Sequence, residues 1–113
     1  LKEYLNKKSE KNDNFLSENF IWDCIINICC GLAVLHEKGI IHRDIKPSNL
    51  FLNKNLKFIK IGDMGIASVL NNKNFANTFI GTMCYMAPEI ILGKNYDFKV
   101  DIWSVGCSLY HLC

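Results

Sequence analysis

The segment 100–113 constrains the fold more than any other part of the sequence. A helix over these positions carries apolar side chains on every side and leaves no clean polar face. Such a helix needs neighbouring elements all around it, so we predict a buried central helix over 100–113, with Trp103 as a core residue. The apolar positions are Ile102, Trp103, Val105, Cys107, Leu109, Tyr110 and Leu112.

A second helix is predicted upstream, where apolar residues recur every three or four positions. Ser17 is a favourable N-cap, Glu18 puts a carboxylate in the first turn, and Gly39 supplies a stop. The longest apolar stretch within it, 24–35, is too short to cross a bilayer. The apolar face of this long amphipathic helix comprises Ile21, Ile25, Ile28, Leu32 and Leu35.

Two short apolar runs, 50–52 and 58–61, flank an Asn-Lys-Asn turn and predict a small β-hairpin, because Asn tolerates the left-handed backbone of tight turns. The polar run 6–14 predicts an exposed loop. One amphipathic helix and one hairpin cannot surround the helix over 100–113. We therefore expect the chain to be part of a larger domain.

The loop that follows the long helix carries side chains suited to phosphoryl transfer. Asp44, Lys46 and Asn49 offer a proton acceptor, a cation and an oxygen ligand within a few positions of one another. Asp63 follows the second apolar run and precedes Met64 and Gly65. A carboxylate beside a conformationally free glycine suits Mg²⁺, which prefers oxygen ligands.

Five motifs follow one another in a fixed order along most of the chain. They are His-Arg-Asp-x-Lys-x-x-Asn at 42–49, Asp-x-Gly at 63–65, Gly-Thr at 81–82, Ala-Pro-Glu at 87–89 and Asp-Ile-Trp-Ser-x-Gly at 101–106. This series resembles the ordered signature of eukaryotic serine/threonine protein kinases. The segments 61–70 and 79–85 resemble the NIMA-related (NEK) branch in finer detail.

The resemblance implies a role for each matching residue. Asp44 would be the catalytic base that receives or orients the substrate hydroxyl, and Lys46 would contact the transferred phosphate of ATP. Asn49 and Asp63 would be the protein ligands of the paired Mg²⁺ ions. Thr82 would brace the catalytic aspartate and lysine.

Regulation is also implied by the resemblance. Thr78 occupies a common position for activating phosphorylation, by another kinase or by autophosphorylation, and Arg43 would bind the phosphate. Met64 stands where the family usually has Phe, so we expect a shifted balance between active and inactive loop positions. Asp101 either caps the last helix or, as the resemblance implies, holds the backbone of the catalytic loop.

The fold implied is α+β, mainly α, a fragment of the C-terminal lobe of a protein kinase within residues 1–113. Its parts would be the long amphipathic helix, the hairpin, a catalytic loop at 42–49, a metal loop at 63–65, an activation segment at 63–89 and the central helix at 100–113. The N-terminal lobe and the rest of the C-terminal lobe would lie outside this chain. We accordingly expect a serine/threonine kinase whose fragment is inactive alone because it is truncated.

Two other functions stay open. A pseudokinase or scaffold would keep the fold without the chemistry, and a small-molecule phosphotransferase would share the Asp, Asn and Asp core, although the motifs at 87–89 and 101–106 favour a protein substrate. The formal charge of +2 gives no indication of a nucleic-acid or membrane partner. Six cysteines without a C-x-x-C pair favour reduced thiols and a cytoplasmic or nuclear location.

Overall fold

The computed structural model describes residues 1–10, 16–63, 68–69 and 83–112. The helices of these parts are α1 (Lys2–Glu10), α2 (Glu18–Glu37), α3 (Pro88–Ile91) and α4 (Lys99–Tyr110). The strands are β1 (Ile40–Ile41), β2 (Leu50–Leu52), β3 (Ile59–Ile61) and β4 (Ser68–Val69). Single 3₁₀ turns cover Pro47–Asn49 and Met83–Tyr85. The predicted α+β class, mainly α, is confirmed.

Helix α2 begins and ends where the sequence predicts. The Ser17 hydroxyl accepts a hydrogen bond from the backbone N–H of Phe20 at 3.3 Å, which is the N-cap interaction. Gly39 follows the helix with a φ of 74°, a left-handed conformation that glycine adopts without steric cost. The fully buried side chains of α2 are those of Cys24, Ile28 and Leu32.

By length and composition alone, α2 could cross a membrane, because the helix that contains the stretch 24–35 extends to 20 residues. The same test is passed by core helices of globular proteins. In this fold the buried face of α2 packs against Ile45, Leu50 and Val105, which come from three other parts of the chain. The helix therefore belongs to the core of the domain.

The predicted hairpin forms from β2 and β3, which pair antiparallel with Leu50 opposite Ile61 and Leu52 opposite Ile59. The turn differs from the prediction, since the left-handed residue is Leu56, with a φ of 58°, and not an asparagine. Asn53 contributes through its side chain instead. Its Oδ1 accepts the backbone N–H groups of Lys57 and Phe58 at 2.9 and 3.2 Å.

Strand β1 pairs antiparallel with β4, with Ile40 opposite Val69. Ile41, the second residue of β1, is buried in a small cluster with Ala87 and Val100. This cluster connects the strand before the candidate catalytic loop to the start of α4. Ile45 inserts into the larger core from within the same loop. The loop is thus fixed to the core at two points.

Helix α4 begins one residue before the predicted range 100–113 and ends at Tyr110, and it is not buried on all sides. Its buried residues are Val100, Asp101, Ser104, Val105 and Ser108. Ile102 and Trp103 are 51% and 50% exposed, and Tyr110 is 87% exposed. The prediction of a fully buried helix with Trp103 in the core is therefore wrong for this chain. The physical reason is that, among the described elements, α4 contacts mainly α2 and the Met83–Tyr85 turn, and these do not cover Ile102, Trp103 or Tyr110.

The loop predicted over 6–14 is wrong for residues 6–10, which belong to α1; positions 11–14 lie outside the described residues. The helix is polar overall, yet its first turns pack on the body of the chain. The Tyr4 ring lies 5.5 Å from the Phe20 ring, and Leu5 packs against the larger core. These contacts stabilise a segment whose composition alone suggested a loop.

Candidate active site

The loop 42–49 follows β1 and ends with the 3₁₀ turn that leads into β2, and most of its side chains are buried. Asp44 and Asn49 are 5% and 6% exposed, which is unusual for polar residues in a loop. Between these polar residues, Ile45 and Pro47 are also buried, and Ile45 packs in the larger core. Buried polar groups need hydrogen-bond partners, and these partners define the site.

The carboxylate of Asp101 holds the beginning of this loop. Its Oδ2 accepts the backbone N–H of His42 at 2.9 Å, and its Oδ1 accepts that of Arg43 at 2.8 Å. Arg43 has a φ of 68°, a left-handed conformation that costs a residue with a side chain about 1–2 kcal/mol. Asp101 is completely buried, so these two bonds are strong enough to offset that strain.

Asp101 is not the N-cap of α4, which is Phe98. The carboxylate that accepts a backbone N–H in the first turn is that of Asp97, at 2.8 Å from the nitrogen of Lys99. Of the two roles considered for Asp101, the structure shows the one that the kinase resemblance implied, which is to hold the backbone of the catalytic loop.

His42 is completely buried and bridges the loop to the residue before Asp63. Its Nδ1 accepts the backbone N–H of Asp44 at 3.3 Å, which requires that nitrogen to carry no proton. Its Nε2 then carries the proton and donates to the carbonyl oxygen of Gly62 at 3.2 Å. His42 is therefore a structural group in this arrangement and not a base.

Asp44, Lys46 and Asn49 come together around one carboxylate oxygen. Lys46 Nζ lies 2.7 Å from Asp44 Oδ2, and Asn49 Nδ2 donates to the same oxygen at 2.8 Å. The second hydrogen of the Asn49 amide binds the backbone carbonyl of Asp44 at 2.9 Å. Both donors thus fix the orientation of the carboxylate from one side.

The other carboxylate oxygen of Asp44 has no such partner. Oδ1 is buried, and within the described part of the chain no donor forms a hydrogen bond with it. A buried carboxylate oxygen without a donor is costly, so a position like this is completed by a water, an ion or a ligand, or has a catalytic role. A hydroxyl group placed there would donate its hydrogen to Oδ1. The geometry therefore favours a site that orients a hydroxyl.

Asp63 and Asn49 offer hard oxygen atoms for a divalent cation. The backbone N–H of Gly62 donates to the carbonyl of Asn49 at 3.0 Å, which keeps the start of the metal loop beside the catalytic loop. Since the amide nitrogen of Asn49 is engaged by Asp44, its Oδ1 is the atom left for a cation. Asp63 is exposed and has a φ of 57°.

The oxygen atoms of Asn49 and Asp63 fit a Mg²⁺ ion that the protein holds together with a phosphorylated ligand. Over the described residues, no group of three or more His, Cys, Asp or Glu side chains converges as a metal cage. Mg²⁺ is commonly held by one or two carboxylates together with waters and substrate phosphates. One amide oxygen and one carboxylate suit a cation that is shared with a phosphorylated ligand.

Several of the residues singled out in the sequence cannot be placed. Thr78, Thr82 and Met64 lie outside the described residues, as does most of the predicted activation segment 63–89. Arg43 is described, and its guanidinium carbon lies 5.4 Å from the centre of the Tyr96 ring, a cation–π contact. Its predicted role in binding a phosphate therefore stays a prediction.

The structure also adds residues that sequence reasoning missed. His36 Nε2 lies 2.8 Å from Asp101 Oδ2, and its ring lies 4.9 Å from that of Phe98. Ser104 donates its hydroxyl to the carbonyl of Tyr85 at 2.6 Å and so connects the Met83–Tyr85 turn to α4. Neither contact has a local sequence signal, because the partners are 65 and 19 positions apart.

Comparison with known proteins agrees with the order of the motifs. A family model described as "Protein kinase domain" matches residues 1–113. The chain is 44% identical over 111 residues to a probable serine/threonine-protein kinase nek2 of Dictyostelium discoideum, covering 96% of this chain. It is 51% identical over 98 residues to serine/threonine-protein kinase Nek5 of Homo sapiens, covering 86% of this chain.

A third relative, serine/threonine-protein kinase Nek8 of Danio rerio, is 41% identical over 112 residues, which cover 99% of this chain. The chain spans only part of each relative's own length, namely 26%, 14% and 16% in the order given. The similarity therefore concerns one portion of much longer proteins.

Proposed function

Because this chain belongs to the protein kinase family and is similar to its NIMA-related members, we propose that its parent protein transfers the γ-phosphate of ATP to serine or threonine hydroxyls of protein substrates. The observation that supports this proposal is the difference in hydrogen-bond partners between the two carboxylate oxygens of Asp44. One oxygen of its buried carboxylate accepts two donors, and the other is left without one in the described structure.

In the proposed reaction Asp44 Oδ1 accepts the hydrogen of the substrate hydroxyl and aims its oxygen at the phosphate. The bonds from Lys46 and Asn49 to Oδ2 prevent the carboxylate from rotating away. Orientation and general-base assistance of this kind contribute about 10²–10⁴ in rate. Lys46 also places a positive charge beside the moving phosphate.

Asn49 and Asp63 are the residues that we propose to hold Mg²⁺ with ATP. When bound, Mg²⁺ neutralises negative charge on the phosphate oxygens. The oxygen atoms of Asn49 and Asp63 suit this cation, and the bond between Gly62 and the Asn49 carbonyl keeps the two residues on neighbouring loops. Asn49 would therefore serve the base through its nitrogen and the metal through its oxygen.

Regulation through the activation segment is part of the same proposal. Phosphate on Thr78 would bind Arg43, whose backbone is held in a left-handed conformation by Asp101. Thr82 would stabilise the Asp44 and Lys46 pair. We also propose an intracellular location, cytoplasmic or nuclear, since the described cysteines are all free thiols.

We further propose that residues 1–113 form part of a longer kinase domain and do not catalyse transfer alone. The exposed side chains of Ile102, Trp103 and Tyr110 on α4 support this proposal, because apolar residues grouped on one helix usually contact another part of the protein. The short span relative to the longer relatives supports it as well.

The test is a phosphate-transfer assay on the parent protein with Mg-ATP and a generic serine/threonine substrate. Asp44→Asn and Asp63→Asn versions run beside the unmodified protein, with Asp23→Asn, an exposed position on α2, as the matched control. Transfer that is abolished in the first two variants and kept in the control supports the proposal. Absence of transfer in the unmodified protein, even with Thr78 phosphorylated, would favour a pseudokinase. Transfer to a small molecule alone would favour the phosphotransferase alternative.

A further inference from the structure

Two adjoining cavities lie beside α1, between this helix and the end of α4. Their volumes are about 370 and 300 Å³, and both are lined by Leu5, Asn6 and His111. Since the two cavities share these three residues, they are treated together and called the α1 groove.

One end of the α1 groove reaches the candidate catalytic loop. Lys46, Pro47 and Ser48 line the first cavity. Lys46 Nζ is also the atom that lies 2.7 Å from Asp44 Oδ2. A peptide whose hydroxyl meets Asp44 would therefore place neighbouring residues in this groove.

The described lining of the groove includes lysines and no carboxylates. Lys2 and Lys46 line its first cavity and Lys8 lines its second, while no aspartate or glutamate is found among the described lining residues. Tyr85 adds no negative charge near neutral pH, where a phenol is protonated, and burial raises its pKa further above the ordinary value of 10.0. Lys46 is already paired with Asp44, so Lys2, on the exposed side of α1, is the main cation offered to a ligand.

The wall of the groove is fixed in place. Tyr85, which lines the first cavity, is held through its backbone carbonyl by the Ser104 hydroxyl at 2.6 Å. Asn6 and Ser48 add uncharged hydrogen-bond donors on the other sides. The site thus offers a cation and several donors to an anionic group, and no carboxylate to a cationic one.

We propose that the α1 groove selects protein substrates that carry an anionic side chain close to the serine or threonine that accepts phosphate. This inference rests on the proposed kinase function and deepens it by naming the substrate class. The anionic group is a carboxylate or a phosphate, since both suit an ammonium group and hydrogen-bond donors. A basic side chain at the same position meets like charge and finds no acceptor, so the groove also selects against basic substrates.

The test measures binding and so does not depend on catalysis. Four peptides have alanine in place of the acceptor serine and differ at one flanking position, which carries aspartate, phosphoserine, alanine or lysine. Each flanking position is varied in turn, and the dissociation constant for the parent protein is measured by fluorescence anisotropy. We expect the best anionic peptide to bind about five-fold more tightly than its lysine counterpart, the effect of one partly exposed ion pair.

Substitution of groove residues by glutamate tests whether the preference for anionic peptides arises in the groove. Lys2→Glu and His111→Glu should remove the preference or reverse it towards the lysine peptide, and Lys2→Ala should weaken it. Lys60→Glu, an exposed position on β3 outside the groove, is the control and should keep the preference. The preference should also decline at high salt, because added ions screen exposed charges.

Each outcome bears on the proposal. Preference for aspartate and phosphoserine alike supports a general anionic site, and preference for phosphoserine alone supports a site for substrates that are already phosphorylated. Equal binding of all four peptides at every position, tighter binding of lysine, or a preference that survives Lys2→Glu and His111→Glu together would overturn the inference. If the anionic preference is found but no phosphate is transferred to matching serine peptides, the inference about the groove is supported and the proposed kinase function is contradicted.

Discussion

Asp101 accepts the backbone N–H of Arg43 at 2.8 Å across 58 positions of sequence. The same carboxylate also binds the N–H of His42 and lies 2.8 Å from the Nε2 atom of His36. A single buried side chain on α4 therefore connects the end of α2 to the loop that carries Asp44. The orientation of the candidate base depends on a residue that does not contact it.

Asp101→Asn tests this dependence. An amide has one oxygen and one NH₂ group, so one of the two backbone donors would face another donor and stay unsatisfied. A buried unsatisfied group costs about 1–3 kcal/mol, and we expect the free energy of unfolding to decrease by about that amount. The measurement is chemical denaturation of the parent protein, followed by its rate of phosphate transfer, which should also decrease.

Asp97→Asn is the control for that change. Asp97 is exposed, and its Oδ1 accepts the N–H of Lys99 at 2.8 Å, a role that asparagine performs equally well. Its effect should stay within about 0.5 kcal/mol. Equal stability and equal transfer rates for the two variants would show that Asp101 does not hold the loop.

Asn49→Asp separates the two roles proposed for Asn49. The aspartate keeps an oxygen for Mg²⁺ but removes the donor that lies 2.8 Å from Asp44 Oδ2, and it places a second negative charge there. Loss of a hydrogen bond to a charged group costs about 1.5–3 kcal/mol, so the transfer rate should decrease about 10- to 100-fold.

Asn49→Ala is the comparison for this prediction, because it removes both the donor and the metal ligand. It should be at least as inactive as Asn49→Asp, and the dependence of its rate on Mg²⁺ concentration should shift to higher concentrations. An Asn49→Asp variant that transfers phosphate as fast as the unmodified protein would mean that the amide donor has no part in orienting Asp44.

The sequence predicted those parts of the fold that depend on local signals. The ends of α2 follow from Ser17 and Gly39, and the hairpin follows from two apolar runs around an asparagine turn. The order of the motifs predicted which polar residues would gather, and Asp44, Lys46 and Asn49 do meet around one oxygen.

Other features depend on contacts between distant parts of the chain and had no local signal. The pairing of β1 with β4 involves two residues on each side, too few for a periodic pattern. Helix α1 is polar, and its position depends on the contact between Tyr4 and Phe20. The apolar pattern over 100–113 predicted a helix that needs neighbours on every side. It could not predict which faces of that helix are packed against other residues of this chain.

Gly39 provides a test of backbone conformation without a packing effect. Its φ is 74°, and a Cβ added there would meet nothing within 4 Å. Gly39→Ala should therefore destabilise the protein by about 1 kcal/mol through the left-handed conformation alone. Gly39→Asn should cost less, because asparagine tolerates that conformation better. Denaturant midpoints of the two variants provide the measurement, and equal midpoints would contradict the assigned backbone.

Cys24 should be the least reactive of the described thiols. Burial, with a smaller contribution from Asp23, raises its pKa from 9.0 to about 11, so it stays in the unreactive thiol form at mildly alkaline pH. Cys29 lies on the exposed side of the same helix. Brief treatment of the native protein with iodoacetamide, followed by peptide mass spectrometry, should therefore find Cys29 alkylated and Cys24 unmodified.

The raised pKa of Cys24 also predicts how the free energy of unfolding changes with pH. Because the unfolded chain ionises Cys24 near its ordinary pKa of 9.0 and the folded chain only near 11, unfolding is favoured progressively as the pH rises between these values. Below pH 9 the thiol is neutral in both states, and the full contribution to stability is present. Cys24→Ala removes this ionisation and should flatten the alkaline decline in the free energy of unfolding, although it lowers stability overall by leaving a cavity.

Cys29→Ala, the matched change at an exposed site, should leave the decline unchanged. Equal alkaline slopes for the unmodified protein and Cys24→Ala would show that this thiol does not cause the decline.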